Sequence, residues 1–507
     1  MRYNILIGGK AGQGINKISE IISNILTKEG YFIFNYRDYP SLIRGGHNFN
    51  VLTISDEYTS SNDSLIDSII AMDEKTLEIH KNELKKNPWI IKHDEFESLG
   101  LDANIAQAAA YLKIIGVSKE AIINEVKEQF SHPGALKAVE KGYSSRESNE
   151  KYKSLKNKIG VMTGSQGVAQ GAISSGMDLF FSYPMTPATP LLHELAAHQE
   201  KYGYMVFQPE NEIAAANSAL GASFAGAKAM TGTSGGGFDL MTEALSLQGQ
   251  NEIPLVVYLA SRPGPGTGLP THSSQGDLDV ALRGGHGEFP RVVIAPGDPI
   301  ECVEKTNEAF YLAQKFNTLS IILSDKHLAE SEFSFNKQPN KTLPVKVTRK
   351  IPGEAIVKAN SYEHEENGNT SEDAKWAIKG AERRLKKYED IKKEVKKFQM
   401  IKIHGKKDSK NLIIAWGSTK GAILDAIKGK DMDYKFLQVL YLKPLSDEIK
   451  KEIEKAKKVI LVENNVTGQL GRLVREKTGI SIKNRILKYD GRPFKSDELK
   501  KEIERIR

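Results

Sequence analysis

The chain reads as an α/β protein of three doubly wound domains with mainly parallel sheets, and three observations predict this. Its 507 residues exceed one ordinary core, since domains cluster near ~100 to 200 residues. Short apolar runs, each followed by a loop and then by apolar residues at helical spacing, recur in three separate stretches, as parallel strands with crossover helices require. Hydrophobic residues make up 39% and charged residues 27%, a globular balance, and no run nears the ~18 uninterrupted apolar residues of a membrane span. The opening MRYNILIGGKAGQG is too short in apolar residues for a signal peptide, so the expectation is a cytoplasmic protein.

The first domain, 1–150, opens with an apolar strand Tyr3 to Ile7 and a glycine loop. Ile15, Ile18, Ile21, Ile22, Ile25 and Leu26 follow at helical spacing up to Gly30, then a strand Tyr31 to Phe34. The pattern is that of a βαβ unit. The stretch KGYSSRESNEKYKSLKNK has loop composition and marks the boundary. The middle domain, 158–335, is rich in glycine and alanine: a small-residue helix through Gly167 to Gly176, a strand Leu179 to Ser182, the turn YPMTPATP, and NEIAAANSALGASFAGAKAM. Helices so poor in bulk let backbones approach closely and suit a buried seam. Strands Leu255 to Ala260 and Ser320 to Leu323 complete it. Residues 336–400 read as a linker followed by a charged, solvated helix from Ala374 to Phe398. The last domain, 401–507, has strands Asn411 to Trp416, Phe436 to Tyr441 and Val459 to Glu463, each followed by a loop and a helix.

A single cysteine, Cys302, excludes an internal disulfide, a cysteine-rich zinc site and a cysteine-held iron–sulfur cluster within this chain. Any redox metal must come from a partner. The net charge of +7 is spread over 71 Lys and Arg interleaved with 64 Asp and Glu, with no basic block carrying aromatics, so nucleic acid is not expected as a partner. His193 and His198 are five apart, which places them ~140° apart on a helix and prevents a shared metal. The G-x-S-x-G nucleophile pattern does not occur at a strand-to-helix turn.

Between the first strand and helix, Gly8-Gly9-Lys10-Ala11-Gly12-Gln13-Gly14 places backbone N–H groups at a helix start, an anion site for a phosphate-bearing ligand or simply a tight turn needing positive φ. It departs from the dinucleotide fingerprint, and Asn35 and Tyr36 stand where an acidic residue would end the second strand. The middle domain places four constellations at predicted strand ends: Tyr183-Pro184-Met185-Thr186-Pro187, PENE ending at Glu212, GTSGGGF from Gly232, and SRPGPGTGLPTHSSQGDL from Ser261. Carboxyl ends of parallel strands are where ligands bind, so one site could gather them. Glu212 is either tied to backbone donors at the helix start or kept as a tuned acid or base. Arg262 either clamps a carboxylate bidentately or pins its own loop; Thr186 is a turn residue or a positioned donor.

YPMTP resembles the YPITP signature of the 2-oxoacid:ferredoxin oxidoreductases, and PENEIAA, SRPGPGTGLPT and QGDL are similar to the succeeding signatures of their α subunit. GGKAGQG with IRGGH at Ile43 to His47 resembles the opening of the family's γ subunit. LIIAWGSTKG, VENNVTGQLGRLV and YDGRPF resemble its transketolase-like C-terminal domain. The likeness covers nearly the whole chain in fused γ-then-α order; departures are Met185 for Ile, and Ala188 and Thr189 where serines are common.

The resemblance implies a γ-like domain, a pyrimidine-binding domain and a transketolase C-terminal-like domain, and oxidative decarboxylation of a 2-oxoacid (2-oxoglutarate, pyruvate or a broad range) to acyl-CoA and CO2 with ferredoxin as acceptor. It implies thiamine diphosphate with Mg2+, Glu212 as the catalytic carboxyl on the aminopyrimidine, Thr186 and Arg262 on the substrate carboxylate, and Gly9, Gly12 and Gly14 helping to hold coenzyme A. The chain has no GDG motif for the diphosphate and Mg2+, so the resemblance implies a β subunit carrying that site and the 4Fe-4S cluster. Two rival readings are an NAD(P)-linked oxidoreductase on the N-terminal glycine loop and a non-catalytic assembly module.

Overall fold

The computed structural model describes residues 2–40, 46–148, 153–429 and 432–506. Of the motif IRGGH, Ile43, Arg44 and Gly45 lie outside the described residues. Contacts divide the chain into two compact units: 1–162 with 331–337 and 495–501, and 163–330 with 338–494 and 502–507. The pieces Gly160–Thr163 and Glu332–Phe335, which the sequence places in the middle domain, thus pair as strands in the first sheet.

In the first unit the sheet runs Leu84–Lys92, Ile66–Ala71, Arg2–Lys10, His47–Ser55, Phe32–Asp38, Glu332–Phe335, Gly160–Thr163. The first three are parallel. The expected βαβ opening is modified: His47–Ser55 lies between the first two strands of the chain and is antiparallel to both. The helix Ile15–Lys28 buries Ile15, Ile18, Ile21, Ile22, Ile25 and Leu26, the face that its spacing predicts. A helix Pro133–Ser144 runs into the stretch read as loop. Its Gly142 packs tightly, since a β-carbon there would lie 2.1 Å from the Ala106 carbonyl oxygen.

The second unit holds two sheets. One runs Tyr441–Lys443, Arg291–Ile294, Leu319–Asp325, Leu255–Ser261, Ala229–Thr233, Leu179–Phe181, Met205–Phe207. It is parallel except for Tyr441–Lys443. Every residue of Leu255–Ser261 and Leu319–Asp325 is buried, as strands covered on both faces must be. The other runs Ile401–Gly405, Lys435–Val439, Asn411–Trp416, Lys458–Glu463, Asn484–Leu487, with only the first antiparallel. Small residues make the expected seam. On the helix Gly164–Ser174, β-carbons at Gly167 and Gly171 would lie 2.4 and 2.6 Å from carbonyl oxygens of Pro299 and Val303, so the helix Pro299–Phe316 packs backbone to backbone against it. Between Phe335 and Ala374 there is no helix or strand, only isolated bridges Pro352–Ala355 and His364–Thr370. The charged helix spans Ala374–Val395.

An ionic cluster ties the two sheets of this unit together. Glu301 is 1% exposed. Its Oε1 accepts from Lys420 Nζ at 2.6 Å and Lys402 Nζ at 2.8 Å, and its Oε2 from Gln438 Nε2 at 2.6 Å and the Gly297 N–H at 2.8 Å. Lys420 also pairs with Asp298. Burial alone would raise the Glu301 carboxyl, but Lys420 and Lys402 hold it well below the usual carboxylate range.

Candidate functional site

Four adjacent parallel strands of the middle sheet, Leu255–Ser261, Ala229–Thr233, Leu179–Phe181 and Met205–Phe207, end on one edge. The four constellations begin there: Ser261-Arg262, Thr233-Ser234, Ser182-Tyr183 and Gln208 to Glu212. The parallel pairing therefore gathers them as the strand-end rule predicts.

The YPMTP turn is held to its neighbours. Ser182 Oγ donates to the Gly232 carbonyl at 2.8 Å, and Thr233 Oγ1 faces Met185 Sδ at 3.9 Å. The Thr186–Pro187 peptide bond is cis; Pro187 is buried and Tyr183 exposed. Arg262 Nη1 donates to the Thr186 carbonyl at 2.9 Å, so the arginine does brace the turn, and its fork still has further N–H donors to offer. Burial lowers the Arg262 guanidinium, and Asp277 and Glu212 counter that.

Glu212 is the first residue of the helix Glu212–Phe224 and is 3% exposed. The helix start is capped by Asn211, whose Oδ1 accepts from the Ala214 N–H at 2.9 Å. Backbone capping is therefore not the task of Glu212: its Oε1 is buried and has no hydrogen-bond partner. Such an oxygen is costly unless a bound group supplies a donor. It rests on Gly237, where a β-carbon would lie 2.9 Å from it and 2.1 Å from Thr233 Oγ1. Glycine at 237 thus keeps open the space the carboxylate occupies. The residues fit a ligand nitrogen able to donate to, or share a proton with, Glu212.

Asp277, in the QGDL motif, was given no role by sequence reasoning, and the structure brings it to the same edge. It stands at the start of the short helix Leu278–Arg283 without capping it. Its Oδ2 is buried and unpartnered. Burial pushes the carboxyl up to about 6, against the Ser261 hydroxyl and Arg262 beside it. The signal was present in the sequence, an acid inside a recognised motif, but only the fold shows what it faces.

The loop that carries Arg262 and Asp277 is held by the C-terminal sheet. Gln275 donates from Nε2 to the Trp416 carbonyl at 2.8 Å and accepts at Oε1 from the Asn464 N–H at 2.8 Å. Asn465 Nδ2 donates to the Gln275 carbonyl at 3.1 Å, and the Ser273 N–H donates to the Gly491 carbonyl at 3.0 Å. Trp416, Asn464, Asn465 and Gly491 belong to WGSTKG, VENNVTGQLGRLV and YDGRPF; these motifs position the site loop.

In the first unit, Gly12 and Gly14 both have φ of 89°, so the turn needs glycine there. Gln13 folds back over the loop: its Oε1 accepts from the Lys10 N–H at 2.6 Å and its Nε2 donates to the Met72 carbonyl at 3.0 Å. Gly9 lies under that amide, where a β-carbon would be 2.5 Å from Gln13 Oε1. The second strand continues past Asn35 and Tyr36 to Asp38, so an acidic residue does end it, contrary to the sequence reading. Asp38 nevertheless stands one strand farther from the glycine loop than a dinucleotide fold requires, because His47–Ser55 intervenes.

Among the described residues no helix is long and apolar enough to cross a membrane. Residues 170–400 match the family described as pyruvate flavodoxin/ferredoxin oxidoreductase, thiamine diP-binding, and residues 4–102 match pyruvate ferredoxin/flavodoxin oxidoreductase. The chain is 31% identical to a 2-oxoacid:ferredoxin oxidoreductase subunit alpha from a Sulfolobus species, over 100% of this chain and 97% of that relative. It is 33% identical to the 2-oxoglutarate synthase subunit KorA of Archaeoglobus fulgidus, over 62% of this chain and 90% of KorA. Its fold matches the 2-oxoglutarate:ferredoxin oxidoreductase of Magnetococcus marinus, solved with 2-oxoglutarate, coenzyme A and succinyl-CoA bound, at a TM-score of 0.88 and 24% identity over 99% of each chain. Full-length likeness, two family matches and a strand-end site assembled from the same motifs agree: the chain belongs to the alpha subunits of the 2-oxoacid:ferredoxin oxidoreductases.

Proposed function

We propose that this alpha subunit takes part in oxidative decarboxylation of a 2-oxoacid to acyl-CoA and CO2, with electrons passed to ferredoxin, and that Glu212, Arg262 and Thr186 are its site residues. The observation that carries this is the buried, unpartnered Oε1 of Glu212 at the strand-end edge beside Arg262. Thiamine diphosphate, when bound, supplies a nucleophilic carbon for the oxo group and a sink for the electron pair freed as CO2 leaves. Glu212 holds a proton at Oε1 for sharing with a nitrogen of the aminopyrimidine ring, in a place where water cannot compete. Arg262, fixed through Nη1 to Thr186, presents its remaining donors to the substrate carboxylate, and Thr186 beside it fixes the carboxylate's orientation.

The middle segment, 158–335 without the end strands Gly160–Thr163 and Glu332–Phe335 that join the first sheet, is the pyrimidine-binding domain in this reading, 1–150 the γ-like domain with Gly9, Gly12 and Gly14 contributing to coenzyme A binding, and 401–507 the transketolase-like domain. A β subunit completes the heterodimer in the cytoplasm, bringing Mg2+, the diphosphate ligands and the 4Fe-4S cluster. The substrate assignment favours 2-oxoglutarate or a broad range, in keeping with the names of the relatives. The test is co-expression with the β chain: oxoacid-dependent reduction of a viologen or ferredoxin is expected, and reduction of NAD instead would replace this reading by the NAD(P)-linked one.

The isolated chain should be colourless, because its one cysteine, Cys302, is buried and cannot ligate a cluster alone. It should also bind thiamine diphosphate only weakly by calorimetry; tight Mg2+-dependent binding, or iron in the purified chain, would contradict the division of labour. Arg262→Lys replaces a planar fork by a point charge and should lower kcat/KM for the oxoacid by roughly 10- to 150-fold, the equivalent of ~1.5 to 3 kcal/mol. Thiamine affinity should stay level in the complex. Normal turnover by the lysine variant would leave Arg262 as a brace of the Thr186 turn only.

A further inference from the structure

Asp277 is not needed by the proposed mechanism, yet it sits in the site as a buried acid beside the Ser261 hydroxyl. Its Oδ2 has no partner, and it crowds the start of the helix Gly235–Asn251 so closely that a β-carbon on Gly235 would lie 2.7 Å from it. It makes no ion pair with Arg262 but lowers the cost of that partly desolvated cation as a charge at a distance. Arg262 is tied by one nitrogen to a neutral carbonyl and lies within electrostatic reach of Asp277 and Glu212. The other charged groups around Asp277 are Asp239 on the helix behind it, which opposes its ionisation, and Asp279 on its own helix, which is paired with Arg472.

A substrate carboxylate that settles on Arg262 adds a negative charge near that of Asp277. Like charges brought together in a poorly hydrated site drive one of them to take a proton. Glu212 is committed to the cofactor in the reading above. Asp277, with an oxygen that no donor satisfies, is the group free to respond.

We propose that Asp277 is a positioning residue whose carboxylate takes up one proton from solvent as a carboxylate substrate binds Arg262, so that substrate capture and proton uptake are a single event. The proton forms the O–H of the Asp277 carboxyl and returns to solvent when the substrate carboxylate leaves as CO2. Neutralising Asp277 frees the full charge of Arg262 for the substrate. Because burial pushes the unliganded Asp277 carboxyl up to about 6, the effect falls within the working pH range. This inference rests on the proposed role of Arg262.

The coupling of charges several Å apart at an effective dielectric between that of protein and water predicts a KM that rises ~3- to 30-fold from pH 6 to pH 8. In the reconstituted complex, Asp277→Asn mimics the protonated acid. Its KM for 2-oxoglutarate should be flat over that range and, at pH 8, lower than that of the unsubstituted enzyme, with kcat changed much less. A gain in affinity cannot come from misfolding. A second measurement needs no variant and no turnover: titration of the unsubstituted complex with oxamate, an unreactive carboxylate beside a carbonyl, by calorimetry at pH 6.5 in two buffers of different ionisation enthalpy. Uptake of ~0.2 to 0.7 proton per oxamate is expected for a carboxyl whose titration moves upward on binding. No proton uptake, or a variant whose KM follows the unsubstituted pH profile, overturns the proposal. Viologen reduction by the unsubstituted complex reports the proposed function separately, so failure of one reading is distinguishable from failure of the other.

Discussion

Glu212→Gln in the assembled complex should lower kcat by ~10²- to 10⁴-fold, the range of general acid–base contributions. The amide nearly preserves size, lies on the same Gly237 surface and leaves the Asn211 cap untouched, so folding, assembly and cofactor occupancy should survive. It cannot share a proton with a ring nitrogen. The direct readout is exchange of the C2 proton of bound thiamine for deuterium, followed by NMR after acid quench. Slow exchange with normal occupancy is the expected result. Exchange at the unsubstituted rate would remove Glu212 from proton transfer. Because Asn211 already caps the helix, that outcome would leave the buried, unpartnered oxygen without a chemical purpose.

The largest effect on stability is expected at Lys420→Met. The substitution leaves Glu301, and Asp298 beside it, without their shared cation, while Lys402 remains on Glu301 at 2.8 Å. Breaking a buried pair typically costs ~3 to 5 kcal/mol because the other charge stays buried; with Lys402 still in place the lower end of that range is expected. The measurement is the urea midpoint at unchanged m-value. The pH dependence carries a sign. Glu301 is depressed in the folded state, so its stabilisation is fully present above the unfolded value near ~4.3 and is lost as pH falls through the folded value. The gap between the two proteins should therefore be constant above pH ~5 and narrow on acidification. Parallel acid curves would mean that Lys420 does not hold the Glu301 charge.

Much of this was legible in the residues. The isoleucines from Ile15 to Ile25 announced a buried helical face because burial repeats with the helical turn. The glycines of the helix Gly164–Ser174 announced a close seam because a backbone without side chains can approach another backbone. Strand order was not legible. That His47–Ser55 inserts antiparallel between the first two strands, or that Glu332–Phe335 pairs with residues some three hundred positions away, depends on contacts that leave no local periodicity. The length of the second strand was misjudged for a similar reason: Asn35, Tyr36 and Asp38 are polar or amphipathic, and only burial between neighbouring strands keeps them extended.

For the site, the sequence alone determined the chemical inventory: a glutamate at an alanine-rich helix start, an arginine in a glycine-proline loop, one cysteine and no GDG. Residue type and local spacing carry that information, because donors, acceptors and metal ligands are properties of individual side chains. Only the tertiary structure decided between the alternatives left open at each residue. It gave the capping task to Asn211 and left the Glu212 oxygen unpartnered, showed Arg262 both bracing Thr186 and keeping donors to spare, and brought Asp277 against the start of the helix Gly235–Asn251, on which Glu212 also rests. Whether a polar atom is satisfied depends on partners brought together by the sheet from distant parts of the chain, and desolvation acts on what surrounds a group in space rather than on its neighbours in sequence.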